Sequence, residues 1–498
     1  MESLSQCLAL AALVLALPAN ASDTASPMRS VTAHMNSIPL KFSVAAAPVH
    51  PLPKATGASS LRQVPTGGTQ INTDGIAHGA GAAGVSGAVG EQQYVQLAGG
   101  RIAVYRKDDG VLLFGPVGTQ TLFANAGLDA CARPHAGAGS VVYDQRSQRW
   151  IVAQLVRSAG QAIQCIAVST TADAVGPYRR HALPLRGAGN EALQAEDARM
   201  ALWSDALYFS FSLFDNAQGT YRGPRICRVD LAALVQGRHA TLTCADLGRN
   251  FGPVIVAAAE GNTALSKETP ALIMALDFTN AGHGSRLLLW RWPRGGAAVD
   301  GPLAIPVAPF VIACAGAPGA ACIDQPFPGA RLSASGDRLM PRVAFRHNAL
   351  LAAHAVQLED GQTGMRWYEL RDVHGAAHVY QQGTHAPDKT HRASGSIGID
   401  KAGNIALGYS VAGIDTPPGV RYAGRQRSDP PGRMAGEEVI VNGNGVQADA
   451  EPLGAASGSL SLDPLDDCTF WYTQQYLPMT GPTSWRTRIA SFKFRNCG

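Results

Sequence analysis

The chain predicts an all-β protein, a β-propeller, and three observations lead there. A short pattern recurs: Ser140–Asp144 (Ser-Val-Val-Tyr-Asp) returns as Ser396–Asp400 (Ser-Ile-Gly-Ile-Asp) and as Ser459–Asp463 (Ser-Leu-Ser-Leu-Asp). Each copy reads as an apolar strand, an Asp-led turn, and a second strand rich in aromatic and branched residues. The spacing is regular, with Asp205 lying 61 residues after Asp144 and Asp463 lying 63 after Asp400. Antiparallel hairpins repeated at intervals of roughly sixty residues mark a radial β array. Helical periodicity is nearly missing, Leu231–Val235 being the only helix-like stretch.

Residues 1–21 read as a secretory signal. Cys7–Leu17 is an apolar run and Ala19-Asn20-Ala21 a small-residue cleavage site, although Glu2 precedes them and no Lys or Arg does. A run of about eleven residues is too short to span a bilayer. From Ser22 to Glu91 the chain is rich in Ala, Gly, Pro, Ser and Thr, and Gly79–Gly87 is nearly featureless. Such a segment buries little apolar area and reads as a flexible, low-complexity leader, residues 22–91. The propeller domain then spans residues 92–498.

Its first block is a hairpin, Arg101–Lys107 and Val111–Phe114 about an Asp-Gly turn at Asp109 and Gly110. The second combines Ser140–Asp144, Arg149–Arg157 and Gln164–Thr170. The third centres on Met200–Ser212, with Asp205 between two strands. Pro270–Phe278 and Arg286–Trp292 follow, then Asp337–Phe345, Leu350–Leu358 and Met365–Arg371. Blocks near Gln92, Asp144, Asp205, Pro270, Asp337, Asp400 and Asp463 predict seven blades, with six or eight as the nearest alternatives. A ring with a free edge invites aggregation, so the two ends of the ordered region should pair, Trp485–Phe494 alternating as a closing strand should.

Composition narrows the partners. With 498 residues the chain can bury a large core, and 55 Gly and 31 Pro supply turns. A net charge of +4 with no Lys/Arg stripe argues against nucleic acid or an anionic membrane surface. Outside the signal there are eight cysteines, Cys131, Cys165, Cys227, Cys244, Cys314, Cys322, Cys468 and Cys497. An even count in an exported chain reads as disulfides. Many connectivities are open; pairing of neighbours, 131–165, 227–244, 314–322 and 468–497, is preferred. Without a C-x-x-C or Cys/His cluster at ligand spacing, no metal and no cofactor is predicted.

Val141–Trp150, Arg366–Arg371, Gly395–Ser410, Asp463–Thr473 and Gly481–Phe494 together resemble a family of secreted bacterial β-propeller proteins, largely uncharacterised and sialidase-like or BNR-repeat-like. The resemblance covers nearly everything after residue 92 and implies the fold. It implies little about activity. Where that family carries Gly-Asp-Pro before the second-block strand this chain has Gly137-Ala138-Gly139, and where it carries Arg-Trp-Gly-Asp-Tyr before the last block this chain has 453–457 as Leu-Gly-Ala-Ala-Ser.

A sialidase-like site needs arginines for a carboxylate, a Tyr–Glu pair and an Asp acid. Arg331, Arg342, Arg392 and Arg421 are available beside Tyr422, Glu369, Asp337 and Asp388. The Ser-x-Asp-x-Gly-x-x-Trp box is incomplete, so Asp144, Asp400 and Asp463 are read as turn formers. Histidines gather at His347, His354, His374, His378, His385 and His391. The polar loop His385–Arg392 is the best single site candidate, since an imidazole beside a carboxylate suits acid/base work. The ligand-binding candidates are therefore Arg331, Asp337, Arg342, His385, Asp388, His391, Arg392, Arg421 and Tyr422. Trp150, Trp203, Trp471 and Tyr472, which could stack on sugar rings, are assigned instead to packing between blades. The residues point to a ligand-binding or interaction module with its site at the mouth of a central channel, for carbohydrate or another extracellular ligand. The alternative is a carbohydrate-active enzyme, a sialidase-like hydrolase or a polysaccharide lyase.

Overall fold

Strands that alternate side chains between two buried faces build the whole molecule. The computed structural model describes residues 64–77, 84–134, 137–158, 160–185, 193–204, 206–215, 219–261, 265–266, 268–296, 298–316, 321–448, 458–481 and 484–498. The predicted signal at 1–21, Asp205 and residues 453–457 lie outside that range.

Trp150 to Ala153 shows why a continuous apolar run becomes a blade strand here. Ile151 and Ala153 join one core cluster, while Trp150 and Val152 join the next. Leu207 and Phe209 likewise face one cluster and Tyr208 its neighbour, and Leu350 and Ala352 part from Leu351 and Ala353 in the same way. Each sheet is packed on both faces, so period-2 alternation places apolar groups on both sides.

The sheets are antiparallel four-strand sets. Ser86–Val89, Gln93–Ala98, Arg101–Arg106 and Leu112–Gly118 form one; others occupy 139–184, 193–246 and 391–441. A nine-stranded sheet contains two further four-strand runs, within 255–312 and 344–385. They are joined where Val311 and Ile312 pair with Gln357 and Val356, and where Ala258–Ala259 runs parallel to Ala344 and Phe345. The innermost strands contact one another in a ring. Ser86–Val89 touches Gly139–Asp144, which touches Leu193–Leu202, and the series continues through Ala258–Ala259, Ala344–Arg346, His391–Ile399 and Ser459–Leu462 back to Ser86–Val89. The architecture is a β-propeller.

Closure differs from the sequence reading in one respect. Arg486–Phe494 is the closing strand, but its partner is Thr66–Ala77, registered from Thr66 opposite Phe494 to Ala77 opposite Arg486. Both this strand and Ser86–Val89 lie inside the segment read as a leader, so ordered structure begins well before residue 92. Thr66–Ala77 is poor in apolar residues and is held by its ladder and by polar ties. Thr487 Oγ1 donates to the Ile76 carbonyl, and Arg488 and Arg486 reach Asp74 at 2.8 and 3.0 Å.

The disulfides pair as the neighbour rule prefers: Cys131–Cys165, Cys227–Cys244, Cys314–Cys322 and Cys468–Cys497. Cys227 and Cys244 are direct cross-strand partners. The helix-like stretch is the helix Leu231–Gln236. The Asp230 side chain accepts from the Ala233 N–H at its start, and Gly237, at φ 68°, ends it. No helix among the described residues is long and apolar enough to cross a membrane.

The Asp-led turns form as read. Asp144 accepts from the N–H groups of Arg146 and Ser147, Asp400 from those of Ala402 and Asn404, and Asp463 from that of Leu465. Asp463 also takes Lys107 Nζ at 2.7 Å, which ties the last sheet to the first.

Candidate functional site

The sequence-predicted residues divide among four places. His385, Asp388, Arg392 and Arg421 gather around Glu437, which sequence reading did not single out. Four successive strands of one sheet supply Arg392, Tyr409, Arg421 and Glu437, and the neighbouring sheet supplies His385. One Glu437 oxygen accepts from Arg392 Nη2 at 2.9 Å and Arg421 Nη1 at 2.7 Å. The other accepts from Arg392 Nε at 3.0 Å and the Tyr409 hydroxyl at 2.8 Å. With that hydroxyl proton given to Glu437, His385 Nε2, 2.8 Å away, donates to the Tyr409 oxygen.

Burial alone would raise the Glu437 carboxyl, but the hydrogen bonds from His385 and Arg392 hold it well below the usual range. Burial lowers His385 despite that contact, so its imidazole is neutral, and burial raises the Tyr409 hydroxyl well above its ordinary value. The Arg392 side chain has no exposed surface. This group is saturated with internal bonds and lies between two sheets, where it packs them together.

The remaining candidates are apart from it. Arg331 pairs with Asp324 at the surface. His391 Nδ1 accepts from the Thr363 N–H at 3.2 Å. Tyr422 is buried, bonded to Thr66 at 2.7 Å and stacked on Phe492 at 3.8 Å. Asp337 contacts Arg338, which also pairs with buried Asp197. Glu369 is engaged by Arg371 and Gln381. His354 is fully buried against the Tyr368 hydroxyl at 2.9 Å, and burial pulls it down to about 3.

Arg342 alone of the nine lines the axial cavity. This space, about 190 Å³, is walled by the innermost strands. Gly87, Ala88, Ala198, Val256, Ala258 and Ala259 keep it open, because small side chains at the ring's centre leave volume that larger ones would fill. Two arginines reach it, each with a carboxylate partner. Arg342 pairs with Glu260, whose carboxyl burial raises in spite of that pairing. Arg199 pairs with Asp197 at 2.5 Å; burial would raise Asp197, but Arg199 and Arg338 outweigh it and hold it low. Asp197 has φ 54° at an irregularity between Glu196 and Arg199, a backbone state that an L-residue adopts only when its surroundings enforce it.

Sequence reading missed Asp197, Arg199 and Glu260. Glu260 carried a usable signal: a lone acid ending the apolar run Val254–Ala259 just before Gly261. Among the described residues no group of three or more His, Cys, Asp or Glu is placed to hold a metal ion.

No family model matches the chain, and no curated protein is similar to it. Solved structures are similar at a distance. A Trypanosoma rangeli sialidase in complex with the inhibitor DANA is 9% identical, with 72% of this chain and 55% of that one covered and a TM-score of 0.36. The match thus spans about half of the trypanosome enzyme. A protein of unknown function from Dyadobacter fermentans is 12% identical over 72% of this chain and 95% of its own, with a TM-score of 0.39. An N11 neuraminidase-like protein from a flat-faced bat isolate is 8% identical over 77% and 99%, with a TM-score of 0.36.

Proposed function

We propose that the protein is an exported, disulfide-stapled propeller of seven blades that binds an extracellular ligand at the mouth of its axial cavity. The observation that carries this reading is the cavity itself: a space of about 190 Å³ at the ring's centre, walled by small side chains and reached by Arg199, Arg342 and Glu260. Concave sites with a few converging polar groups are where small molecules bind. Four disulfides support an oxidising compartment, as does the secretory signal read at residues 1–21.

A second reading, a carbohydrate-active enzyme, is favoured by one specific arrangement: Tyr409 donating to Glu437 beside Arg392 and Arg421. Those groups are buried and mutually satisfied, which favours the binding module. A glycan array combined with a polysaccharide-turnover screen on the secreted form separates the two. Retention of a glycan without product supports the module; turnover that is lost on Tyr409→Phe supports the enzyme and overturns it.

A further inference from the structure

We propose that the axial cavity takes a neutral, polyhydroxylated molecule of about monosaccharide size and rejects ionised ones; this rests on reading that cavity as the binding site. The charged side chains at the cavity are already matched. Arg342 is on Glu260 and Arg199 on Asp197. Asp144 is taken up by the N–H groups of its own turn, and Arg146 donates to the Ser204 carbonyl. An ionised ligand would enter without a free counter-charge, or would break a pair and strand its partner, and both are costly at a buried site.

What remains unmatched is of another kind. The hydroxyls of Tyr143, Ser204 and Ser461, Gln145 Oε1, Glu260 Oε2 and Arg342 Nε are buried without a hydrogen-bond partner. All belong to residues that line this one cavity. Tyr143 and Glu260 are 9% and 1% exposed, and buried polar atoms of native proteins are nearly always bonded. Three hydroxyls, two acceptor oxygens and one N–H complement a molecule whose hydroxyl groups each donate and accept. At roughly 30 Å³ per water, the space equals about six waters, a volume that one six-carbon ring with its hydroxyls can replace.

Calorimetric titration of the purified full chain tests this with myo-inositol, D-glucose and methyl β-D-galactoside against D-glucuronate and N-acetylneuraminate. At least one neutral probe should bind, and both acids should bind at least about tenfold more weakly. Ser461→Ala should weaken the neutral probe by about five- to tenfold, the loss of one hydrogen bond. Ser461→Trp, which fills the cavity, should abolish binding, with thermal melts checking that both variants fold. Equal or tighter binding of either acid overturns the inference, as does silence from the whole panel. Binding that survives Ser461→Trp places the ligand elsewhere and removes the axial site. Binding lost in Ser461→Trp but strongest for an acid leaves that site standing and removes only its neutral preference.

Discussion

Arg392 and Glu437 meet through two parallel hydrogen bonds of 3.0 and 2.9 Å, and they join the innermost to the outermost strand of one sheet. The arginine is wholly buried, and Glu437 keeps only about a tenth of its surface. Tyr409 and His385 extend the link into the adjoining sheet. Removing one partner leaves an uncompensated buried charge, which costs about 3–5 kcal/mol. Arg392→Ala should therefore lower the urea midpoint sharply, and Glu437→Gln should do so to a lesser degree because the amide still accepts. A melting temperature unchanged in Arg392→Ala would return Arg392 to the list of ligand contacts.

Acidification should destabilise the protein in two stages. Burial holds His354 at about 3 against an ordinary 6.5, so the unfolded chain takes up a proton that the folded chain refuses. Stability is complete above 6.5 and falls by about 1.4 kcal/mol per pH unit for that one group down to about 3. His385, also held low, acts in the same direction. Below the ordinary Glu value of 4.5, Glu437 adds a second loss, since its folded carboxyl is depressed and the unfolded one protonates first. Urea titrations at pH 7, 6, 5 and 4 should show the first stage, and His354→Gln should flatten it.

The hairpins were readable because their turns are built by local groups: Asp144, Asp400 and Asp463 bond N–H groups two to four residues on, a distance that sequence spacing displays. The closing strand was not readable. Thr66–Ala77 offers only Ile71, Ile76 and Ala77 as apolar residues, and its order comes from a partner more than four hundred positions away. Glu437 was hidden for the same reason, lying forty-five residues from Arg392. The cavity was hidden by its own composition, for Gly, Ala and Ser walls look like turn-rich sequence until the ring closes.

Reducing the disulfides should cost stability in proportion to the loops that they close. Cys131–Cys165 spans 34 residues and Cys468–Cys497 spans 29. Loop-closure entropy gives about 3–4 kcal/mol for each. Cys131→Ser/Cys165→Ser and Cys468→Ser/Cys497→Ser should each lower the melting temperature, and reductant should then shift the wild type more than either variant. Equal shifts in all three would show that neither bridge forms.

The ring should depend on its N-terminal strand. A chain that starts after Ala77 leaves the ladder edge of Arg486–Phe494 unpaired, with the N–H and C=O groups that now face Thr66–Ala77 open to other chains. Such a chain should aggregate or form mixed oligomers by light scattering, and the core side chain of Ile489 should become accessible. A chain that starts at Val64 keeps every described contact and should stay dispersed with an unchanged melting temperature. A synthetic peptide of residues 64–77 added to the shortened chain should restore dispersion, because the vacated edge is specific in register from Thr66 to Ala77. If the shortened chain is as stable and as dispersed as the longer one, the ring does not close through this strand.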